Sequence, residues 1–375
     1  MPSDDKRNGD RRIPSLDGLR AVAISLVVLA HAANGLRLGM TSDPFAPHHV
    51  GKIGVRVFFV LSGFLITGLL LDEHERTGSI RLLRFAGRRA LRIFPAYFAF
   101  LLFVAVSVAL HLSHGVSGRS LLLDAIYLAN WNFHPGPLLG HLWSLGLEEQ
   151  FYVLWPFALL RLGRRHATRA LHGVILLGSL IRVLDHFHIP GAWIPASALF
   201  TGADFLAMGC LLALNGPAWR VSARYRRLRS AAALLVLPAT VILTLTDHSA
   251  AFAGIGLTLE GVLFTLAVDW CVTNARSRVG QLLNARSMRK VGNLSYSIYL
   301  WHVLWTVVTL PEAPWARVPL AALAVLVSYN YIEKPILRLR DAILPASTWP
   351  KLPFLEHTSS PVSARTLISA LSEPP

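Results

Sequence analysis

The stretch GVRVFFVLSGFLITGLLLD, residues 54–72, decides the fold class. Its 19 residues are nearly all apolar, and a helix of about 20 such residues crosses the hydrocarbon core of a bilayer. Nine more segments of this kind occur along the chain. We therefore predict an all-α membrane protein, a polytopic bundle of about ten transmembrane helices. The predicted spans are 15–35, 54–72, 90–112, 144–162, 168–187, 197–215, 230–247, 251–273, 290–310 and 316–333.

Composition agrees with this class. Only 15% of the 375 residues are charged, against about 25% in soluble proteins, while 53% are hydrophobic and the mean hydropathy is +0.49. The net charge of +15 follows membrane topology rather than nucleic-acid binding, because 29 of the 36 Lys and Arg residues lie in alternate loops and at the two ends. Positive loops stay in the cytoplasm. Both termini are therefore expected there, and no nucleic-acid partner is expected.

Three regions follow from these spans. Residues 1–14 are predicted to be a cytoplasmic N-terminal segment, and residues 15–340 the integral membrane domain. Residues 341–375, rich in Pro and Ser, are predicted to be a cytoplasmic, disordered tail.

The first predicted span carries Asp17, Arg20 and His31. Ionisable groups inside a span are costly and indicate function by default. Eleven residues at about 100° each bring His31 back to the face of Arg20, about 16 Å further along the helix. A catalytic stripe is one interpretation. An interhelical salt bridge together with an interfacial histidine is the other.

The basic run at the start of the third span contains Arg88, Arg89 and Arg92. Arg88 and Arg89 share a helix face with Arg92, at spacings of four and three residues. Anchoring by positive charge at the cytoplasmic surface explains the run. A phosphate clamp explains it equally, since guanidinium groups bind phosphate in a forked geometry.

Two later segments combine hydroxyl, carboxyl and imidazole groups inside spans. Ser144, Glu148 and Tyr152 recur every four residues and share a face, on which Glu148 either joins a structural ion pair or orients a catalytic group. A second stripe consists of Ser295, Tyr299 and His302, with Tyr296 beside it. This stripe either lines a polar cavity or bridges helices. No histidine spacing with supporting carboxylates resembles a metal site, so none is predicted.

Five stretches occur along the chain in a fixed order. They are SLDGLR at 15–20 with His31 after ten intervening residues, GVRVFFVLSGF at 54–64, RRALRIFPAY at 88–97, HLWSLGLEEQFY at 141–152, and SYSIYLWH at 295–302 followed by EKP at 333–335. Together they resemble the acyltransferase 3 family of membrane O-acyltransferases, which modify bacterial surface sugars and some small natural products. The resemblance covers residues 12–340. Many members carry an additional esterase-like domain at the C-terminus, for which this chain has no room, so it is expected to be the stand-alone form.

The resemblance implies roles for particular residues. Arg20 and His31 match the family's arginine–ten–histidine signature and are expected to be essential. The cluster of Arg88, Arg89 and Arg92 is expected to contact an acyl-CoA donor, and Glu148 is expected to be functional. Asp17, Tyr152, Ser295, Tyr299 and His302 are predicted substrate-binding residues.

The expected activity is transfer of an acyl group, most simply acetyl, from cytoplasmic acyl-CoA to a hydroxyl of a surface or periplasmic carbohydrate. The expected location is the bacterial inner membrane, with no permanently bound cofactor. His31 acts as general base or as nucleophile, since imidazole suits both roles; we favour the base, with Arg20 and Glu148 as positioning groups. Alternatives are acylation of a small lipophilic product or lipid intermediate, and a secondary transporter, whose paired broken helices the sequence lacks.

Overall fold

The computed structural model describes residues 13–35, 47–187, 200–245, 252–307 and 316–344, apart from positions 14 and 133. These residues are helical throughout, with short connections and no strand among them. The helices are α1 (Leu16–Gly35), α2 (Pro47–Thr77), α3 (Leu82–Ala109), α4 (Gly118–Ala125), α5 (Trp143–His186), α6 (Phe200–Val221), α7 (Ala223–Leu245), α8 (Leu257–Thr273), α9 (Arg278–Leu283), α10 (Arg286–Trp301), α11 (Leu304–Val307), α12 (Arg317–Val327) and α13 (Lys334–Ile343).

Five helical stretches in the described residues are long and apolar enough to cross a membrane. This confirms the predicted class of an all-α membrane protein. The count of ten spans and the cytoplasmic position of both termini stay predictions. The five stretches are Val50–Thr77, Leu82–Ala109, Gly140–Leu184, Gly254–Thr273 and Arg317–Ile343.

Two features of the helices bear on the predicted spans. The fourth and fifth predicted spans belong to α5, in which two helical segments meet at Gly163 with a φ of 63°, a value that glycine adopts without steric cost. The last helix, α13, ends at Ile343, three residues past the predicted end of the membrane domain. Residues 345–375, the rest of the predicted tail, lie outside the described residues.

Close backbone contacts hold α1 between α2 and α10. A Cβ atom added to Gly54 of α2 would collide with the carbonyl oxygen of Ala23, and one added to Gly292 of α10 would collide with that of Asp17. Only glycine permits this approach, which is a common way of packing membrane helices. As a result, the polar residues of α1 and α10 are brought to one site.

The connection between α3 and α5 folds onto α3 through aromatic contacts. The rings of Tyr97 and Tyr127 stack with centroids 4.4 Å apart, and the Tyr97 hydroxyl donates to the backbone carbonyl of Asp124 at 2.9 Å. The carboxyl group of Asp124 is fully buried, and neither of its oxygens has a hydrogen-bond partner in the described part of the chain. Burial therefore raises the pKa of Asp124 to about 7.

This buried carboxyl predicts a pH-dependent gain in stability for Asp124→Asn. In the unfolded chain the carboxyl ionises near its ordinary pKa of 3.8, whereas in the folded chain it keeps its proton up to about pH 7. The free energy of unfolding is therefore lowered progressively between these values as pH rises. We expect the variant to melt like the wild type near pH 4 and at a higher temperature at about pH 8, with a gain of up to about 4 kcal/mol. Thermal unfolding in detergent measures this, and equal pH profiles for the two proteins would contradict it.

Candidate active site

A partly open cavity lies between α1, α2, α3, α5 and α10. Its empty space amounts to about 660 Å³ together with the solvent space at its mouth. Polar side chains from all five helices line it, which is unusual inside a membrane bundle and indicates a ligand site. These residues are Arg20, Ser62, Arg89, Arg92, Ser144, Glu148, Glu149, Tyr152, Ser295, Tyr296 and Tyr299.

Three of the lining residues are arginines: Arg20, Arg89 and Arg92. Within the described part of the chain, none of their side chains makes a hydrogen bond or a close ion pair. Arg89 lies over the ring of Tyr152 instead, 5.3 Å from its centroid. The three charges are close enough to repel one another. They outnumber the two carboxyl groups of the same wall, Glu148 and Glu149, so the cavity favours an anion.

Other arginines in the bundle are paired with carboxylates. Arg182 binds Asp204 at 2.7 Å, and Arg56 binds Glu260 at 2.5 Å. Such pairing is the usual requirement for a buried charge. The arginines of the cavity depart from it, which distinguishes an anion-binding wall from structural ion pairs.

Glu148 is held in place by a hydroxyl group of a neighbouring helix. The Ser62 hydroxyl donates to its carboxylate at 2.7 Å and accepts from the Tyr152 hydroxyl at 3.3 Å. Glu148 also lies close enough to Arg20 and Arg89 for their charges to attract it. The carboxylate thus orients two guanidinium groups without forming a direct ion pair with either.

A hydrogen-bonded pair, Ser144 and Tyr299, lines the cavity on the side of α10. The Tyr299 hydroxyl donates to the backbone carbonyl of His141 at 2.8 Å. The Ser144 hydroxyl lies 2.6 Å from the Tyr299 hydroxyl and can then donate to it. The Tyr299 ring lies 5.7 Å from the His302 ring. Tyr299 therefore lies between the cavity that it lines and the imidazole groups of His141 and His302.

Three histidines form a cluster on the far side of Tyr299. The ring of His302 meets His31 edge-on, with centroids 4.6 Å apart, and lies 5.3 Å from His141. Both His302 and His141 are buried. The Nε2 atom of His302 and both ring nitrogens of His141 have no partner among the described residues, so these groups are available to a ligand or a water molecule.

Backbone contacts fix which nitrogen of His31 is basic. Its Nδ1 lies 2.9 Å from the carbonyl oxygen of Val27, and the Nδ1 of His302 lies 2.8 Å from that of Tyr299. A carbonyl oxygen only accepts, so each Nδ1 carries the proton in the neutral ring. The lone pair of each ring is then on Nε2, which leaves His31 able to take a proton.

The predicted residues are distributed over these two places. The cavity brings together Arg20, Arg89, Arg92, Glu148, Tyr152, Ser295 and Tyr299. His31 and His302 lie in the histidine cluster, and Arg20 is separated from His31 by about 16 Å along α1. Asp17 and Arg88 do not line the cavity, and Arg88 contacts α13. The functional roles of all these residues stay predictions.

Sequence reasoning missed Ser62, Glu149 and His141 as site residues. Ser62 lies in an apolar run, and His141 lies in a single 3₁₀ turn, Gly140–Leu142, where no helical periodicity points to a shared face. Glu149 follows Glu148 directly, and the i, i+4 pattern selected only the first. Among the described residues, no group of three or more His, Cys, Asp or Glu side chains has a metal-binding arrangement.

Comparison with known proteins adds a family and several relatives. The profile of the family described as "Acyltransferase domain" matches residues 13–332. The chain is 32% identical to the putative peptidoglycan O-acetyltransferase YrhL of Bacillus subtilis, covering 88% of this chain and 56% of that protein. It is 30% identical to the peptidoglycan O-acetyltransferase OatA of Listeria monocytogenes, with coverage of 88% and 56%.

A third relative is the O-acetyltransferase OatA of Staphylococcus aureus, 30% identical with coverage of 88% of this chain and 58% of that protein. The chain thus spans little more than half the length of these relatives. No solved structure matches it.

Proposed function

Because this chain belongs to the acyltransferase family, whose domain its residues 13–332 match, we propose that it is an O-acetyltransferase of the bacterial inner membrane. It takes an acetyl group from cytoplasmic acetyl-CoA and transfers it to a carbohydrate hydroxyl on the opposite side of the membrane. Three arginines line the cavity without a direct ion pair among the described residues, and this observation carries the proposal. The relatives named for peptidoglycan acetylation favour a peptidoglycan-like acceptor.

The donor binds with its diphosphate on Arg89 and Arg92. Guanidinium groups recognise phosphate by two parallel hydrogen bonds, and this recognition strengthens where water is excluded. Arg20, oriented by Glu148, completes the anion site. The thioester arm of the donor then extends along α1, past Tyr299, to the histidine cluster about 16 Å away.

In the favoured mechanism, His31 is the general base. Its Nε2 takes the proton of the acceptor hydroxyl, while the hydroxyl oxygen attacks the thioester carbonyl carbon. The C–S bond breaks as the ester forms, and the thiolate leaves with the proton that His31 releases. His302, in edge contact with His31, holds the imidazole in position. In the alternative, the Nε2 of His31 attacks the thioester carbonyl carbon, the C–S bond breaks and coenzyme A leaves as the thiol. The acceptor hydroxyl then attacks the acyl-imidazole, and the C–N bond breaks as the ester forms and the imidazole is regenerated.

The proposal is tested with the purified chain in detergent, labelled acetyl-CoA, and a pool of hydroxylated glycans that includes peptidoglycan fragments. Thiol release and labelled ester on the glycan are measured together. We expect both to exceed those of heat-inactivated protein. If no acceptor gives either thiol release or labelled ester, the proposed activity is wrong.

Ser62→Ala is expected to lower kcat/KM about tenfold, because Glu148 loses a charge-assisted hydrogen bond of about 1.5 kcal/mol. The Ser62–Glu148 distance of 2.7 Å supports this role. The measurement is steady-state kinetics with acetyl-CoA. Ser107→Ala is the matched control, since Ser107 donates to the backbone carbonyl of Phe103 within its own helix. An equal loss in both variants would mean that Ser62 acts only through packing.

A further inference from the structure

The C-terminal helix α13 docks against the beginning of α3, beside the predicted phosphate clamp. Arg88 donates through Nη1 to the backbone carbonyl of Leu344, and its Nη2 lies 3.5 Å from the Asp341 carboxylate. A Cβ atom added to Gly87 would lie 3.2 Å from the Leu344 side chain. Arg88 therefore anchors α13, and α13 lies beyond the matched acyltransferase domain, which ends at residue 332.

A second arginine reaches the same place from α13. Arg340 donates to one oxygen of Asp341 through Nε at 2.9 Å and Nη2 at 2.7 Å. Its Nη1 has no partner among the described residues. The Arg340 side chain is only 14% exposed, whereas Asp341 is 55% exposed. One solvated carboxylate thus faces two half-buried guanidinium groups, those of Arg88 and Arg340, and leaves an excess positive charge.

This excess charge adjoins the cavity. Arg340 is close enough to Arg88 and Arg92 for like charges to repel, and Arg92 lines the cavity. Arg88 and Arg92 are one helical turn apart, about 6 Å along α3. An anion with two separated phosphate groups would satisfy both places at once.

We propose that Arg340 extends the donor site beyond the cavity and binds the 3′-phosphate on the ribose of coenzyme A. This inference rests on the proposed function, which supplies acetyl-CoA as the donor. The diphosphate lies on Arg89 and Arg92 inside the cavity. The ribose phosphate lies at the rim. There the Nη1 of Arg340, which has no partner in the described part of the chain, donates to it, and Asp341 competes with it for the same guanidinium group.

The test compares the dissociation constants of coenzyme A and 3′-dephospho-coenzyme A, measured on the full chain in a phosphate-free maltoside detergent. We expect the wild type to bind coenzyme A about tenfold more tightly, the usual scale for one charge-assisted hydrogen bond. Arg340→Gln should reduce this preference to less than about twofold by weakening coenzyme A binding alone. Arg338→Gln is the matched control, because Arg338 is exposed on the same helix and should leave the preference unchanged.

Asp341→Asn provides a test of opposite sign, which loss of folding cannot imitate. Removing the competing carboxylate should tighten coenzyme A binding about threefold, while leaving 3′-dephospho-coenzyme A unchanged. A wild-type preference that survives Arg340→Gln would overturn the role of Arg340. Equal binding of both nucleotides by the wild type would also overturn the role of Arg340. In that case the proposed function, with a coenzyme A thioester as donor, would still stand. If the protein binds neither coenzyme A nor 3′-dephospho-coenzyme A, the proposed function itself is contradicted.

A phosphate of an anionic lipid headgroup is the other source of the same chemistry, since Leu339 and Ile343 are exposed on α13. Adding phosphatidylglycerol to the detergent separates the two. If Arg340 binds the 3′-phosphate of the nucleotide, the lipid should change the dissociation constant of coenzyme A by less than about twofold in the wild type. Full loss of the nucleotide preference in the presence of the lipid would overturn the assignment in favour of a lipid site.

Discussion

Arg92→Gln is expected to raise the KM for acetyl-CoA about 10- to 100-fold, with a much smaller change in kcat. Arg92 lines the cavity and makes no hydrogen bond or close ion pair in the described residues, although the charge of Glu333 attracts it from a greater distance. Its replacement therefore breaks no direct ion pair. A hydrogen bond to a charged group contributes about 1.5–3 kcal/mol, which corresponds to this range of affinity. The loss falls on binding, because the phosphates lie far from the bond that breaks.

Arg92→Lys and Arg81→Gln sharpen this test. Lysine keeps the charge but loses the forked geometry, so Arg92→Lys should recover only part of the lost affinity. Arg81 is exposed just before α3 and lies outside the cavity lining, so Arg81→Gln should behave like the wild type. Steady-state kinetics over a range of acetyl-CoA concentrations measures both. A fall in kcat at unchanged KM would show that Arg92 does not bind the donor.

Periodicity in the sequence was sufficient where one helix carries all members of a pattern. Ser144, Glu148 and Tyr152 were predicted to share a face of one helix, and all three line the cavity. Arg20 and His31 lie on α1 as predicted. These relations depend only on the geometry of a single helix, which the sequence determines directly.

Relations between distant segments could not be read in this way. Arg88 has the same local pattern as Arg92, yet it contacts Asp341 and Leu344, more than 250 residues away. Likewise, the contact of His31 with His302 depends on the close approach of α1 and α10 at Gly292. Periodicity identifies a face of a helix, but the partner of that face is decided by the packing of the whole bundle.

His31→Gln is expected to lower kcat about 10²- to 10⁴-fold, the usual contribution of a general base, with little change in the affinity for coenzyme A. His31 lies outside the cavity that holds the arginines, so donor binding should survive. The matched control is His172→Gln. The Nδ1 of His172 lies 2.7 Å from the carbonyl oxygen of Thr168, four residues earlier. The Nδ1 of His31 contacts the Val27 carbonyl oxygen at the same spacing, but His172 is exposed.

The same variant separates the two roles of His31 when the acceptor is left out. A general base needs the acceptor hydroxyl, so wild type mixed with labelled acetyl-CoA alone should release no stoichiometric burst of thiol and should carry no label. A nucleophile would give one equivalent of thiol and an acetylated protein, both absent in His31→Gln. Because the Nδ1 of His31 contacts the Val27 carbonyl, Nε2 performs the chemistry in either case. The neighbouring His302, whose Nε2 has no partner within the described ranges, is the next candidate base if His31→Gln retains full activity.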